Sequence, residues 1–305
     1  MDESNVIVSY IERKGWQVVR VAQGWQVRRP DERAAFYLSF TPSWTCLQAP
    51  LSFDPGAVQN AAEQVRLYRH LLSCNEEMFM GKCCCDSAGR LTLQVELPGG
   101  GSIHRIDYAL DAMLRYQPMM ADGVTHLEDH AAPAASDRAA KQRYFDAPPG
   151  IPHEVIAYYL RAIQPHGWGA RSKPKGVTWQ LGYKSQRMFE VFLTLTRSWT
   201  YFHIPVLPET PRVLKGEDHA AQSTFLDYLL QINNTWYMAK LGLNEAGQVL
   251  AMLEVPTQEL DFDLFRHITR LLAAYLDLYA REIQIMAHLP SDPKLVEKIV
   301  LAPNK

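Results

Sequence analysis

Residues 71–98 read LLSCNEEMFMGKCCCDSAGRLTLQVELP, and residues 229–256 read LLQINNTWYMAKLGLNEAGQVLAMLEVP. At a constant spacing of 158 and without a gap, Leu71/Leu229, Leu72/Leu230, Asn75/Asn233, Met80/Met238, Lys82/Lys240, Ala88/Ala246, Gly89/Gly247, Glu96/Glu254 and Pro98/Pro256 coincide. A repeat of this length describes a domain, so the chain is expected to consist of two halves of one fold.

The correspondence extends toward the start of each half. Gly15-Trp16 matches Gly167-Trp168, Trp25-Gln26 matches Trp179-Gln180, Ser43-Trp44-Thr45 matches Ser198-Trp199-Thr200, and Pro50 matches Pro205. The spacing grows in small steps along this stretch, as short insertions in turns between strands would produce.

Each half reads in the same order. Residues 4–14 and 152–165 carry apolar positions at helical spacing, and a glycine suited to a helix end follows each. Alternating Val, Trp, Phe and Thr then predict three strands, at 16–21, 24–29 and 34–48 in the first half and at 168–172, 177–183 and 188–204 in the second. Asp54-Pro55 suggests a helix start, giving a helix over 55–74 with a counterpart ending at Asn233. Strands at 77–85 and 90–97, and at 235–243 and 248–255, turn at Gly89 and Gly247. A last helix follows at 103–117 and at 260–288. The expected fold is α+β, with two α-β-β-β-α-β-β-α units and antiparallel sheets. The predicted boundaries are 1–117, a linker at 118–150 rich in Ala and Pro, 151–290, and a tail at 291–305.

Composition narrows the function classes. Of 305 residues, 47% are hydrophobic, 21% are charged and the net charge is −2, the balance of a globular chain. Residues 1–117 hold 12 Lys or Arg against 13 Asp or Glu, and residues 151–305 hold 16 against 15, so the charge is spread evenly and neither half predicts nucleic-acid or membrane binding. The acidic start Met-Asp-Glu-Ser-Asn does not resemble a signal peptide, and no apolar run reaches about 18 residues. With five cysteines, three of them adjacent, a disulfide framework is not expected, and a cytoplasmic location is.

The order of elements, together with Leu-Leu-x-x-Asn, the strand lysine, the glycine hairpin and Glu-x-Pro before the final helix, resembles the YbjN family, which shares the fold of class I type III secretion chaperones. The resemblance covers residues 4–117 and 151–288. It implies a chaperone-like, non-enzymatic protein-binding module without a cofactor, in which two copies in one chain form a pseudo-dimer; a homodimer of the chain is also possible on this reading. Client identity is not implied. The triple glycine and the cysteine run occur only in the first half.

Several short patterns have both a chemical and a structural reading. On a strand, Cys83 and Cys85 share one face and Cys84 takes the other, which favours core packing over metal or redox chemistry. His126 and His130 have the spacing of two helical metal ligands but lie in the predicted linker. Gly99-Gly100-Gly101-Ser102 lacks the lysine of a phosphate loop, and no nucleophile motif is found. Asn75 and Asn233 fit left-handed helix caps, while Lys82 and Lys240 fit strand lysines with their charge in water. The last helices carry the broadest apolar surfaces. Leu110, Met113, Leu114 and Tyr116 in the first half, and Phe265, Ile268, Leu272, Tyr275, Leu276 and Tyr279 in the second, are therefore expected at an interface between halves or chains. The competing expectation is a small-molecule or enzymatic site in the cleft between the halves.

Overall fold

A computed structural model of the chain describes residues 3–30, 35–51, 58–99, 103, 105–125 and 150–288. The first half runs α1 (Glu3–Arg13), β1 (Gln17–Val21), β2 (Gly24–Arg28), β3 (Ala35–Phe40), β4 (Trp44–Pro50), α2 (Ala61–Glu77), β5 (Gly81–Cys85), β6 (Leu91–Pro98) and α3 (Arg105–Thr125). The second runs α4 (His153–Ile163), a 3-10 turn (Gln164–His166), β7 (Trp168–Ala170), β8 (Thr178–Lys184), β9 (Met188–Leu195) and β10 (Trp199–Leu207). It continues with α5 (Arg212–Lys215), α6 (His219–Thr235), β11 (Lys240–Leu243), β12 (Val249–Pro256), a 3-10 turn (Thr257–Glu259) and α7 (Phe262–Met286). No helix among the described residues is long and apolar enough to cross a membrane.

Each half forms one six-stranded antiparallel sheet, ordered β1-β2-β3-β4-β6-β5 and β7-β8-β9-β10-β12-β11. The halves are therefore similar, but each holds four strands before its central helix, where three were predicted. The expected strands 34–48 and 188–204 are both broken by a threonine turn. Thr41 Oγ1 accepts from Trp44 N at 3.0 Å, and Thr196 Oγ1 accepts from Trp199 N at 2.9 Å. A side chain that bonds the backbone a few residues on competes with the ladder and reverses the chain.

Helix boundaries follow their caps. α2 begins after Asn60, whose side chain accepts from Glu63 N, while the expected cap Asp54-Pro55 lies outside the described residues. Asp218 and Asp261 cap α6 and α7 in the same way. α3 continues through Pro118 to Thr125, past the predicted start of the linker at 118. It is thus nearly as long as α7, contrary to the expected contrast between the last helices. The predicted hairpin glycines Gly89 and Gly247 have φ of 76° and 71°.

Alternation along the strands sets the core. Cys83 and Cys85 join the main apolar cluster, with Cys83 Sγ 3.5 Å from Met120 Sδ of α3, whereas Cys84 lies on the other face. α1 and α3 pack on the first sheet and α4 and α7 on the second. α2 and α6 pack on each other, and each lies against both its own half's short edge strand and that of the other half. One apolar cluster consequently runs through both halves.

Candidate functional site: a reciprocal polar seam

The sequence matches Asn75/Asn233, Met80/Met238, Lys82/Lys240 and Glu96/Glu254 converge where β5 and β11 approach each other. Asn75 and Asn233 stand in the last turns of α2 and α6, fully buried, rather than acting as left-handed caps. Asn75 Oδ1 accepts from Cys83 N at 2.6 Å, and Asn75 Nδ2 donates to Cys83 O and to Leu241 O of the other half, each at 3.1 Å. Asn233 mirrors this: Oδ1 accepts from Leu241 N, and Nδ2 donates to Leu241 O at 3.0 Å and to Cys83 O at 3.4 Å. Two carboxamides therefore satisfy both inner sheet edges, which would otherwise bury unpaired backbone groups.

The two lysines depart most from expectation. Lys82 and Lys240 are only 2% and 1% exposed, so their charges are not in water. Lys82 Nζ lies 2.6 Å from Glu96 Oε2 and donates to Trp236 O in the other half. Lys240 Nζ lies 3.1 Å from Glu254 Oε1 and donates to Met78 O and Gly81 O in the first half. Each ammonium is charge-paired within its own half while binding the chain of the other.

What the lysines hold is an unusual turn. Gly81 N donates to Phe79 O at 2.7 Å and Ala239 N to Tyr237 O at 2.6 Å, closing three-residue turns on Met80 and Met238, whose φ values are 62° and 60°. A γ-turn with positive φ at a non-glycine residue is strained and persists where its surroundings over-determine it. Tyr116 Oη accepts from Phe79 N at 3.0 Å, Tyr275 Oη accepts from Tyr237 N at 2.6 Å, and Glu96 Oε2 accepts from Met238 N at 2.9 Å. Outside the turns, Trp44 stacks on Tyr237 at 4.7 Å and Trp199 on Phe79 at 5.0 Å, each ring pair joining the two halves. Arg105 Nε pairs with Glu259 Oε2 across the seam at 3.1 Å.

The predicted interface residues all lie in or against the apolar cluster that runs through both halves. Leu110, Met113, Tyr116, Phe265, Ile268, Leu272, Tyr275 and Leu276 are buried, and Leu114 and Tyr279 pack partly buried against the same cluster. The broad apolar surfaces of α3 and α7 are covered within the fold, and α2 and α6 make the helix contact between the halves. Tyr116 and Tyr275 of this set reach the seam turns through their hydroxyls. Sequence reasoning missed the turns at Met80 and Met238, because methionine carries no signal for positive φ. The threonine turns do carry a signal, the Thr-x-Ser-Trp shared by both predicted strands.

The five cysteines are free. Burial pushes the Cys46, Cys74 and Cys85 thiols up to about 12, and holds those of Cys83 and Cys84 well above the ordinary range. Such thiols carry almost no thiolate at neutral pH. Among the described residues no group of three or more His, Cys, Asp or Glu could hold a metal ion, and His126, His130 and Gly100 to Ser102 lie outside them. Gly99 N donates to Ser43 O at 2.7 Å, tying the end of β6 to the β3–β4 turn. Compared with known families and characterised proteins, the chain matches no family model and no relative.

Proposed function

We propose that this chain is a non-enzymatic, chaperone-like protein-binding module of the cytoplasm, whose halves form an intrachain pseudo-dimer that presents sheet and helix surfaces to a client polypeptide. The observation that supports this reading is the employment of the shared polar residues. Asn75, Asn233, Lys82, Lys240, Glu96 and Glu254 all bind chain or one another at the seam. The matched residues are thereby explained by joining two similar halves, which is how a single-domain chaperone of the resembling fold would pair with its copy. Pre-assembly in one chain would hold two sheets at a fixed spacing and lower the ordering cost of binding.

The test is crosslinking of the tagged chain in its native lysate, followed by mass spectrometry of bound proteins and small molecules. A specific polypeptide in stoichiometric amount supports the reading. Recovery of a stoichiometric metabolite and no polypeptide would replace it with a ligand-binding or enzymatic function.

A further inference from the structure

The charge balance of the second half conceals a segregation. From Val155 to Phe189 the chain has six Lys or Arg and no Asp or Glu, whereas residues 190–288 have seven against twelve. The fold places the first stretch at the outer margin of the second sheet, on α4, β7, β8 and their turns, with Arg171, Lys173, Lys175 and Lys184 exposed.

The open face of this margin differs between the halves. In the first sheet the pair Gln17 and Arg28 lies across β1 and β2, and Arg28 Nε donates to Gln17 Oε1 at 2.7 Å. At the matching register of the second sheet stand Gly169 and Gly182. A Cβ on Gly169 would meet nothing within 4 Å, and one on Gly182 would meet Met188 Sδ at 3.1 Å and the Arg171 stem at 3.4 Å. The Arg171 stem thus lies on the bare backbone, beside Met188, a residue that is 50% exposed.

Glu190, Asp277 and Arg187 nearby are otherwise engaged. Gln180 donates to Glu190, Tyr183 Oη donates to Asp277 Oδ2 at 2.8 Å, and Arg187 Nη2 donates to Val206 O at 2.5 Å.

We infer that this margin docks a short acidic polypeptide segment, whose carboxylates meet Arg171, Lys173, Lys175 and Lys184 while an apolar side chain packs on Met188. The inference rests on the protein-binding reading above and names the chemistry of its partner. A peptide suits the margin better than a nucleic acid because residues 190–288 are five charges more acidic than basic. A long polyanion would run onto that surface within a Debye length of about 8 Å, and a short segment ends before it.

The test uses the full chain and three fluorescent probes: a peptide alternating Glu with Leu, its Gln counterpart, and a single-stranded oligonucleotide of equal length. The Glu peptide is expected to bind most tightly and to weaken from about 0.05 to about 0.5 M salt. The quadruple variant R171S/K173S/K175S/K184S is expected to lose at least about tenfold in affinity. Arg90→Ser, an exposed change in the first half, is expected to leave affinity as it was. Unchanged melting temperature confirms that the variants fold. Equal binding by the quadruple variant, or tighter binding of the oligonucleotide, would overturn the inference. If lysate crosslinking captures the same polypeptide with wild type and quadruple variant, the margin is wrong and the protein-binding reading stands; if neither captures any, that reading fails.

Discussion

Asn75 and Asn233, 158 residues apart in sequence, each donate to the same two carbonyls, Cys83 O and Leu241 O, one from each half. Each of these carbonyls takes one bond from its own half's asparagine and a second from the other half's. The seam therefore couples local edge satisfaction to assembly of the halves.

Replacing Asn75 by Ala is expected to orphan Cys83 N and weaken both carbonyls, at about 1–3 kcal/mol for each group left unsatisfied. Asn75→Asp, although isosteric, should be no milder, because it turns a donor into an acceptor facing two carbonyl oxygens. Denaturant unfolding of both variants checks this; an Asp variant as stable as wild type would contradict it.

Lys82→Ala leaves Glu96 buried without its ammonium and Trp236 O without a donor. Breaking one side of a buried pair costs about 3–5 kcal/mol. Because Lys82 binds the second half, this variant should also speed hydrogen exchange at Tyr237 to Ala239. Confinement of the exchange change to the first half would argue against the cross-half role.

Gly242 is the counterpart of Cys84, and the difference is steric. A Cβ at 242 would lie 2.9 Å from Leu72 O and 3.0 Å from Glu76 N of α2. Gly242→Ala should destabilise by about 1–3 kcal/mol as an overpacking change that displaces α2. Thermal melting reads this, and an unchanged midpoint would show that α2 does not approach β11 so closely.

The thiols supply a pH test. With Cys46, Cys74 and Cys85 raised to about 12 by burial, the folded chain keeps protons that the unfolded chain releases near an ordinary thiol pKa of about 8.5. Their contribution to stability is thus full below that value and lost as pH rises from there toward 12. Native protein at pH 8 should react slowly with a thiol-specific disulfide reagent, and all five cysteines should react after denaturation. Rapid native reaction of Cys83 to Cys85 would show that β5 opens.

Much of this architecture was legible in the residues. The 158-residue spacing located both hairpins and the glycines that turn them, and strand alternation placed Cys83 and Cys85 in the core. The buried lysines were not legible. Lys82 on a strand looks the same in sequence whether its charge meets water or Glu96, since burial there is created by the other half. Asn75 was misread for a related reason: a helix-end asparagine usually serves its own backbone, and here it also serves a strand far along the chain. The apolar excess on α7 was real, but Leu272 and Leu276 are covered within the fold.

The central claim, that the halves form one interlocked unit, is tested most directly by cutting the chain. A protease site inserted between Thr125 and Gly150 would allow cleavage of the folded protein, followed by native mass spectrometry and melting. The fragments should remain a 1:1 complex that melts in one transition, and Asn75→Asp or Lys82→Ala should release them. Separation of wild-type fragments into independently folded halves would contradict the account.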